Sequence, residues 1–123
     1  MPSIKTVMVV DDDPDDHDIF EIYLKELQLN IAILHANNGL EALQLLQNVV
    51  PECIFIDANM PRLSGMELIK EIQKKPELRS IHVCLLSSSS TLNPSEESNG
   101  ARLFLKPQTK EDLQKIFDEV CGE

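Results

Sequence analysis

The stretch Val7-Met8-Val9-Val10-Asp11-Asp12-Asp13-Pro14 decides how this chain folds. An unbroken run of β-branched and apolar residues reads as a parallel strand buried on both faces. Open α/β sheets bind their ligands outside the carboxyl ends of such strands. Carboxylates crowded at that end repel one another unless a cation sits among them. The stretch therefore predicts a divalent-metal site at one edge of a sheet. Its last two residues, Asp13-Pro14, predict a helix N-cap followed by proline at the first helical position.

Working outward, strand and helix signals alternate along the chain. The first strand covers residues 4–10, and the helix after Asp13 runs to about Leu27. Ile19, Phe20, Tyr23, Leu24 and Leu27 share one face of that helix at spacings of three and four. Residues 31–36 read as a short second strand, broken by Asn37-Asn38-Gly39. Leu40, Leu43, Leu46 and Val50 mark a second helix that stops near Pro51. Cys53-Ile54-Phe55-Ile56 is a third strand closed by Asp57. After a loop with Pro61 and Gly65, Met66, Ile69 and Ile72 carry a third helix to about Lys75. Residues 81–86 form a fourth strand ending at Ser87, and Leu103-Phe104-Leu105 a fifth ending at Lys106-Pro107. Leu113, Ile116, Phe117 and Val120 stripe a last helix.

Five strands alternating with helices predict a doubly wound α/β fold, a parallel sheet covered on both faces. Right-handed crossovers bring every strand's carboxyl end to the same edge. That edge then collects the acidic cluster, Asp57, Ser87 and Lys106.

Composition bounds the rest. The chain has 123 residues, 42% of them hydrophobic, which fits one folded domain and argues against disorder. A net charge of −10 has the wrong sign for gripping nucleic acid. One Tyr, four Phe and no Trp leave no aromatic platform for stacking bases. No apolar run approaches the roughly 20 residues that span a membrane. Cys53, Cys84 and Cys121 are an odd count with no paired spacing, which predicts a reducing, cytoplasmic setting. Cys53 and Cys84 read as inert core residues. His17, His35 and His82 lack ligand spacing and read as structural or exposed. Asp15, Asp16 and Asp18 read as a solvated helix start that suits the helix dipole.

The four groups at the sheet edge carry a definite chemistry. A carboxylate such as Asp57 can act as nucleophile and hold a covalent phosphoryl group. Phosphoryl transfer needs the equatorial oxygens neutralised. Mg2+ takes octahedral oxygen ligands and keeps several waters. Lys106 can meet the phosphoryl group as a point charge, and the Ser87 hydroxyl can donate to one of its oxygens.

On these residues the chain resembles a response regulator receiver domain of two-component signalling, of the chemotaxis-regulator kind. The matching motifs are Val9-Val10-Asp11-Asp12-Asp13-Pro14, Asp57-Ala58-Asn59-Met60-Pro61 with Gly65, Ser87 after an apolar strand, and Lys106-Pro107. The resemblance implies a flavodoxin-like sheet of strand order 2-1-3-4-5, forming one receiver domain over 1–123 (core about 4–121) without an output domain. It implies Asp57 as phosphoacceptor, and Asp11, Asp12, Asp57 and the Asn59 backbone carbonyl around Mg2+ or Mn2+. Lys106 would bridge to the phosphoryl group and Ser87 would be the switch hydroxyl. The donor would be a sensor histidine kinase or a histidine phosphotransfer protein. Asn59 and Ser89, small or medium and neutral, would flank the phosphoryl group and leave its lifetime intermediate. Beyond its own phosphoacceptor such a domain is not an enzyme.

Two departures qualify the implied switch. Only the 18 residues 88–105 separate Ser87 from Lys106, a few fewer than the family usually has. Residues 88–100 are rich in Ser, Asn, Glu and Pro, so a short helix near 94–98 or a loop is expected in place of a full fourth helix. Leu103 also stands where receivers often carry Tyr or Phe, with Phe104 next to it. Adjacent strand residues face opposite ways, so Phe104 does not simply replace it. Two other readings follow. A phosphorylation-independent receiver-like binding module is one. A haloacid-dehalogenase-like phosphatase, on the Asp11-Asp12-Asp13 pattern, is the other; there Asp15 occupies the place of the usual Thr or Val.

Overall fold

Period-two patterning sends alternate side chains of each strand into different layers. In the computed structural model, which describes residues 4–58, 65–88 and 101–120, five strands pair in parallel. They are β1 (Thr6–Val10), β2 (Ala32–Ala36), β3 (Cys53–Asp57), β4 (His82–Ser87) and β5 (Arg102–Leu105). Their order in the sheet is β2-β1-β3-β4-β5. The connecting helices among the described residues are α1 (Pro14–Glu26), α2 (Gly39–Leu46), α3 (Gly65–Gln73) and α4 (Lys110–Val120). The expected doubly wound sheet and its strand order are both present. A short 3-10 helix at Pro76–Leu78 is an addition that the periodicity did not signal.

The core has two layers. Met8, Val10, Ile54, Ile56, Val83 and Leu85 point to one face, where α2 and α3 cover them with Ala42, Leu46, Leu68, Ile69 and Ile72. Val7, Val9, Cys53, Phe55, Cys84 and Leu86 point to the other, under Phe20 and Leu24 of α1 and Leu113, Ile116 and Phe117 of α4. Cys53 and Cys84 are fully buried core residues, as expected. Cys121 and the segment 89–100 lie outside the described residues.

Three helix readings need correction. On α1 the buried stripe is His17, Phe20 and Leu24, while Ile19 is 37% exposed and Tyr23 only half-buried. The helix therefore turns a histidine, not Ile19, toward the sheet. On α2 Leu40 faces solvent, and the helix ends at Leu46, ahead of the exposed Val50. Leu46 and the partly buried Leu43 make the contact as expected, joined by Ala42, four residues before Leu46. The α2 start is fixed by Asn38, whose side chain accepts from the Glu41 N–H at 2.8 Å, while Glu41 accepts from the Asn37 N–H at 2.8 Å.

Candidate phosphoryl-transfer and metal site

Strand register brings the site together. Val10 pairs with Ile56, so Asp11 and Asp57 follow side by side at the ends of β1 and β3. Asp57 pairs with Leu86, and Ser87 with Leu105, so Ser87 and Lys106 close the same edge. The Lys106 N–H donates to the Ser87 carbonyl at 2.8 Å and prolongs that pairing by one residue. The chain runs from β1 to β2 on one side and then crosses to β3 on the other, and the site lies at that β1/β3 switch point.

Asp11 and Asp57 are buried, at 3% and 6% exposure, and Asp12 is exposed. One carboxylate oxygen from each of the three lies within 4.8 Å of the others. Burial pushes the Asp11 carboxyl up to about 7, and its hydrogen bond with Asp16 and the charge of Asp57 add to the rise. The Asp13 N–H, donating to Asp11 at 3.0 Å, and the nearby Lys106 oppose it without cancelling it. Carboxyl groups crowded this closely around buried Asp11 favour a cation among them. Three hard oxygen donors at this spacing fit an Mg2+-sized cation. Asp13 stands apart from this set. Its side chain accepts from the Asp15 N–H at 3.0 Å, which makes it the expected N-cap of α1.

Lys106 enters between the acids. Its Nζ is 2.8 Å from Asp16 Oδ2, 3.4 Å from Asp11 Oδ2 and 3.5 Å from Asp57 Oδ1. Burial pulls the ammonium down, but the bond to Asp16 and the charges of Asp11 and Asp57 outweigh it and hold the lysine above its ordinary value. Burial also raises the Asp16 carboxyl, but its hydrogen bonds to Lys106 and Asp11 and the lysine's charge together outweigh that and hold it below the usual range.

Asp16 and His17 are the residues that sequence reasoning missed. Asp16 is half-buried on the first turn of α1, not solvated. His17 is buried, with Nε2 2.8 Å from the Asp11 carbonyl and Nδ1 2.6 Å from Nδ1 of His35. Both precede buried Phe20, by four and three residues, and that spacing was the available signal. Ser87 is buried at the end of β4. Asn59 and Ser89 lie outside the described residues. Leu103 packs into the α2–α3 layer and Phe104 into the α1–α4 layer, so Phe104 does not take Leu103's place.

The chain is 30% identical over 120 residues to the sensor histidine kinase CheAY of Helicobacter pylori, covering 94% of this chain but 15% of that one. Its fold matches the chemotaxis protein CheY4 of Vibrio cholerae with a TM-score of 0.84, at 24% identity and 96% and 99% coverage. It also matches the response regulator TrrA of Thermotoga maritima, solved in complex with Mg2+ and BeF, with a TM-score of 0.81 at 27% identity and 95% and 99% coverage. No helix among the described residues is long and apolar enough to cross a membrane. The family model for the response regulator receiver domain matches residues 7–118. That match runs from β1 into α4 and takes in Asp11, Asp12, Asp57, Ser87 and Lys106, and the chain belongs to the response regulator receiver domain family.

Proposed function

We propose that this receiver takes a phosphoryl group from a phosphohistidine donor onto Asp57 and uses it to switch a protein-interaction surface or to pass the group on. The observation that carries the reading is the arrangement of Asp57. Its carboxylate is buried beside Asp11 and Asp12 within metal-ligating distance, with the Lys106 ammonium 3.5 Å away.

In the reaction an Asp57 oxygen attacks phosphorus, the new P–O bond forms as the P–N bond breaks, and the imidazole leaves and keeps a proton from solvent. Asp11, Asp12 and Asp57 would hold Mg2+ or Mn2+, with the Asn59 carbonyl as the family's further ligand. When bound, the cation supplies charge neutralisation of the phosphoryl oxygens. Lys106 presents a movable point charge to the same oxygens. The Ser87 hydroxyl, at the end of the neighbouring strand, donates to a phosphoryl oxygen and so biases a two-state equilibrium at the surface. The donor is a histidine kinase or a histidine phosphotransfer protein. The buried thiols Cys53 and Cys84 suit a reducing cytoplasm.

Incubation with acetyl phosphate and Mg2+ tests the reading by intact mass. One phosphoryl increment is expected on the wild-type chain and none on Asp57→Asn or in excess EDTA. An unmodified wild-type chain, or an increment that survives Asp57→Asn, defeats it. Hydrolysis of added phosphate esters with turnover would favour the phosphatase alternative.

A further inference from the structure

The proposed reaction needs the Lys106 ammonium at the phosphoryl oxygens, yet its short contact lies elsewhere. The 2.8 Å bond to Asp16 is within the charge-assisted range, whereas 3.5 Å to Asp57 and 3.4 Å to Asp11 are not. Asp16 reaches the cleft because the first turn of α1 turns it inward, four residues ahead of buried Phe20. Asp15 and Asp18 sit beside it in sequence, but they are exposed and make no ion pair among the described residues. Asp16 and Lys106 also share the wall of an open groove with Ser87, Ser88 and Tyr23. The lysine therefore stands between acids on two sides, Asp16 on the helix and Asp11 and Asp57 at the sheet edge.

We propose that Asp16 is a positioning residue that holds Lys106 on the α1 side of the cleft until a phosphoryl group on Asp57 takes the lysine over. The inference rests on the receiver reading above. A lysine carries its charge on a flexible stem with three rotatable donors, so the exchange needs rotation of one side chain and no backbone movement. Before phosphorylation Asp16 outcompetes Asp57 for the ammonium. After it, the added phosphoryl charge lies on the Asp57 side and reverses the preference. Asp16 thereby sets how much binding free energy the phosphoryl group must supply before the switch turns.

Beryllofluoride in saturating Mg2+ is the probe, bound to the full chain and read by fluorine NMR and by fluorescence of Tyr23, the only tyrosine. Asp16→Asn should bind it about tenfold more tightly than wild type, in line with coupling between contacting charged groups. Asp16→Ser covers the case in which Asn re-forms the bond. Asp15→Asn removes the same charge from the same turn and should stay within about twofold of wild type. In EDTA, with no anion present, the Lys106 ε-methylene resonance should shift in Asp16→Asn and not in Asp15→Asn. Equal or weaker beryllofluoride binding by both Asp16 variants overturns the inference, and so does an equal gain in Asp15→Asn. Wild-type chain that shows no Asp57-dependent beryllofluoride binding overturns the proposed function, and this inference with it.

Discussion

His17 donates its Nε2 proton to the backbone carbonyl of Asp11, 2.8 Å away, and so ties helix α1 to the residue that opens the candidate metal site. A carbonyl only accepts, so this nitrogen must carry the hydrogen, and a neutral His17 offers Nδ1 as an acceptor. His35 on β2 approaches that atom at 2.6 Å and turns its own Nε2 to Glu21 at 2.6 Å. The chain of contacts runs from the buried Asp11 peptide to the exposed face of α1. His17→Phe keeps a ring of similar size but leaves the carbonyl and His35 without their partner. It should cost about 1–3 kcal/mol, the usual penalty for a buried polar group left unpaired. Exposed Asp18→Asn should change stability by less than about 0.5 kcal/mol. Urea melts of the two variants check this, and a His17→Phe chain as stable as wild type would show that the tie contributes nothing.

At the proposed metal site, Asp11 would make cation binding depend on pH. Its carboxyl is raised from 3.8 to about 7, burial being the main cause. A cation must displace the proton held below that value. Apparent Mg2+ affinity should therefore climb by up to about tenfold per pH unit toward 7 and flatten above it. Calorimetry in buffers of different ionisation heat should report proton release on the acid side. In EDTA the sign for stability is opposite. Between 3.8 and about 7 the folded chain keeps a proton that the unfolded chain has lost, so stability falls as pH rises through that window. Mg2+ affinity that stays flat across the window would mean that Asp11 is already ionised.

The α1–α4 layer is centred on Phe55. It is 1% exposed, with the rings of Phe20 and Phe117 at 5.2 Å and 5.8 Å. Phe55→Ala should cost about 3–5 kcal/mol through lost transfer energy and the cavity left behind. Because Asp57 follows two residues later on the same strand, the variant should also lower beryllofluoride binding at temperatures where it remains folded. Stability loss under about 1 kcal/mol would mean that the layer refills the space.

Much of the sheet edge was legible in the sequence because strands announce their ends. Apolar runs closing on Asp11, Asp57, Ser87 and Lys106 needed only parallel pairing to converge. The Asp13 cap was legible for the same local reason. Asp16 was not, because an acid in the first turn of a helix already has a sufficient explanation in the dipole. Its inward aim comes from helix phase, which is set by packing of Phe20 and Leu24. His17 was hidden because a polar residue interrupts the apolar stripe there, and Ile19 supplied a false match beside it. Hydrophobic spacing gives a face only to within about one residue when the helix covers a sheet edge.

The end of α1 carries a conformation that its sequence did not announce. Leu29 N–H bonds the Leu24 carbonyl and Gln28 N–H the Lys25 carbonyl, the paired closure that usually ends on glycine. Here Gln28 occupies the left-handed position with φ of 57°. A side chain at that φ costs roughly 1 kcal/mol, because Cβ crowds the carbonyl that follows. Glycine avoids the clash but adds freedom to the unfolded chain, which offsets part of the gain. Gln28→Gly should therefore raise stability by up to about 0.5 kcal/mol, and Gln28→Val should lower it, since branching at Cβ worsens the crowding. Gln28 is exposed and far from the acidic edge, so neither change should alter beryllofluoride binding. Thermal melts of the pair decide the matter: a glycine variant less stable than wild type would place the helix end in another backbone conformation.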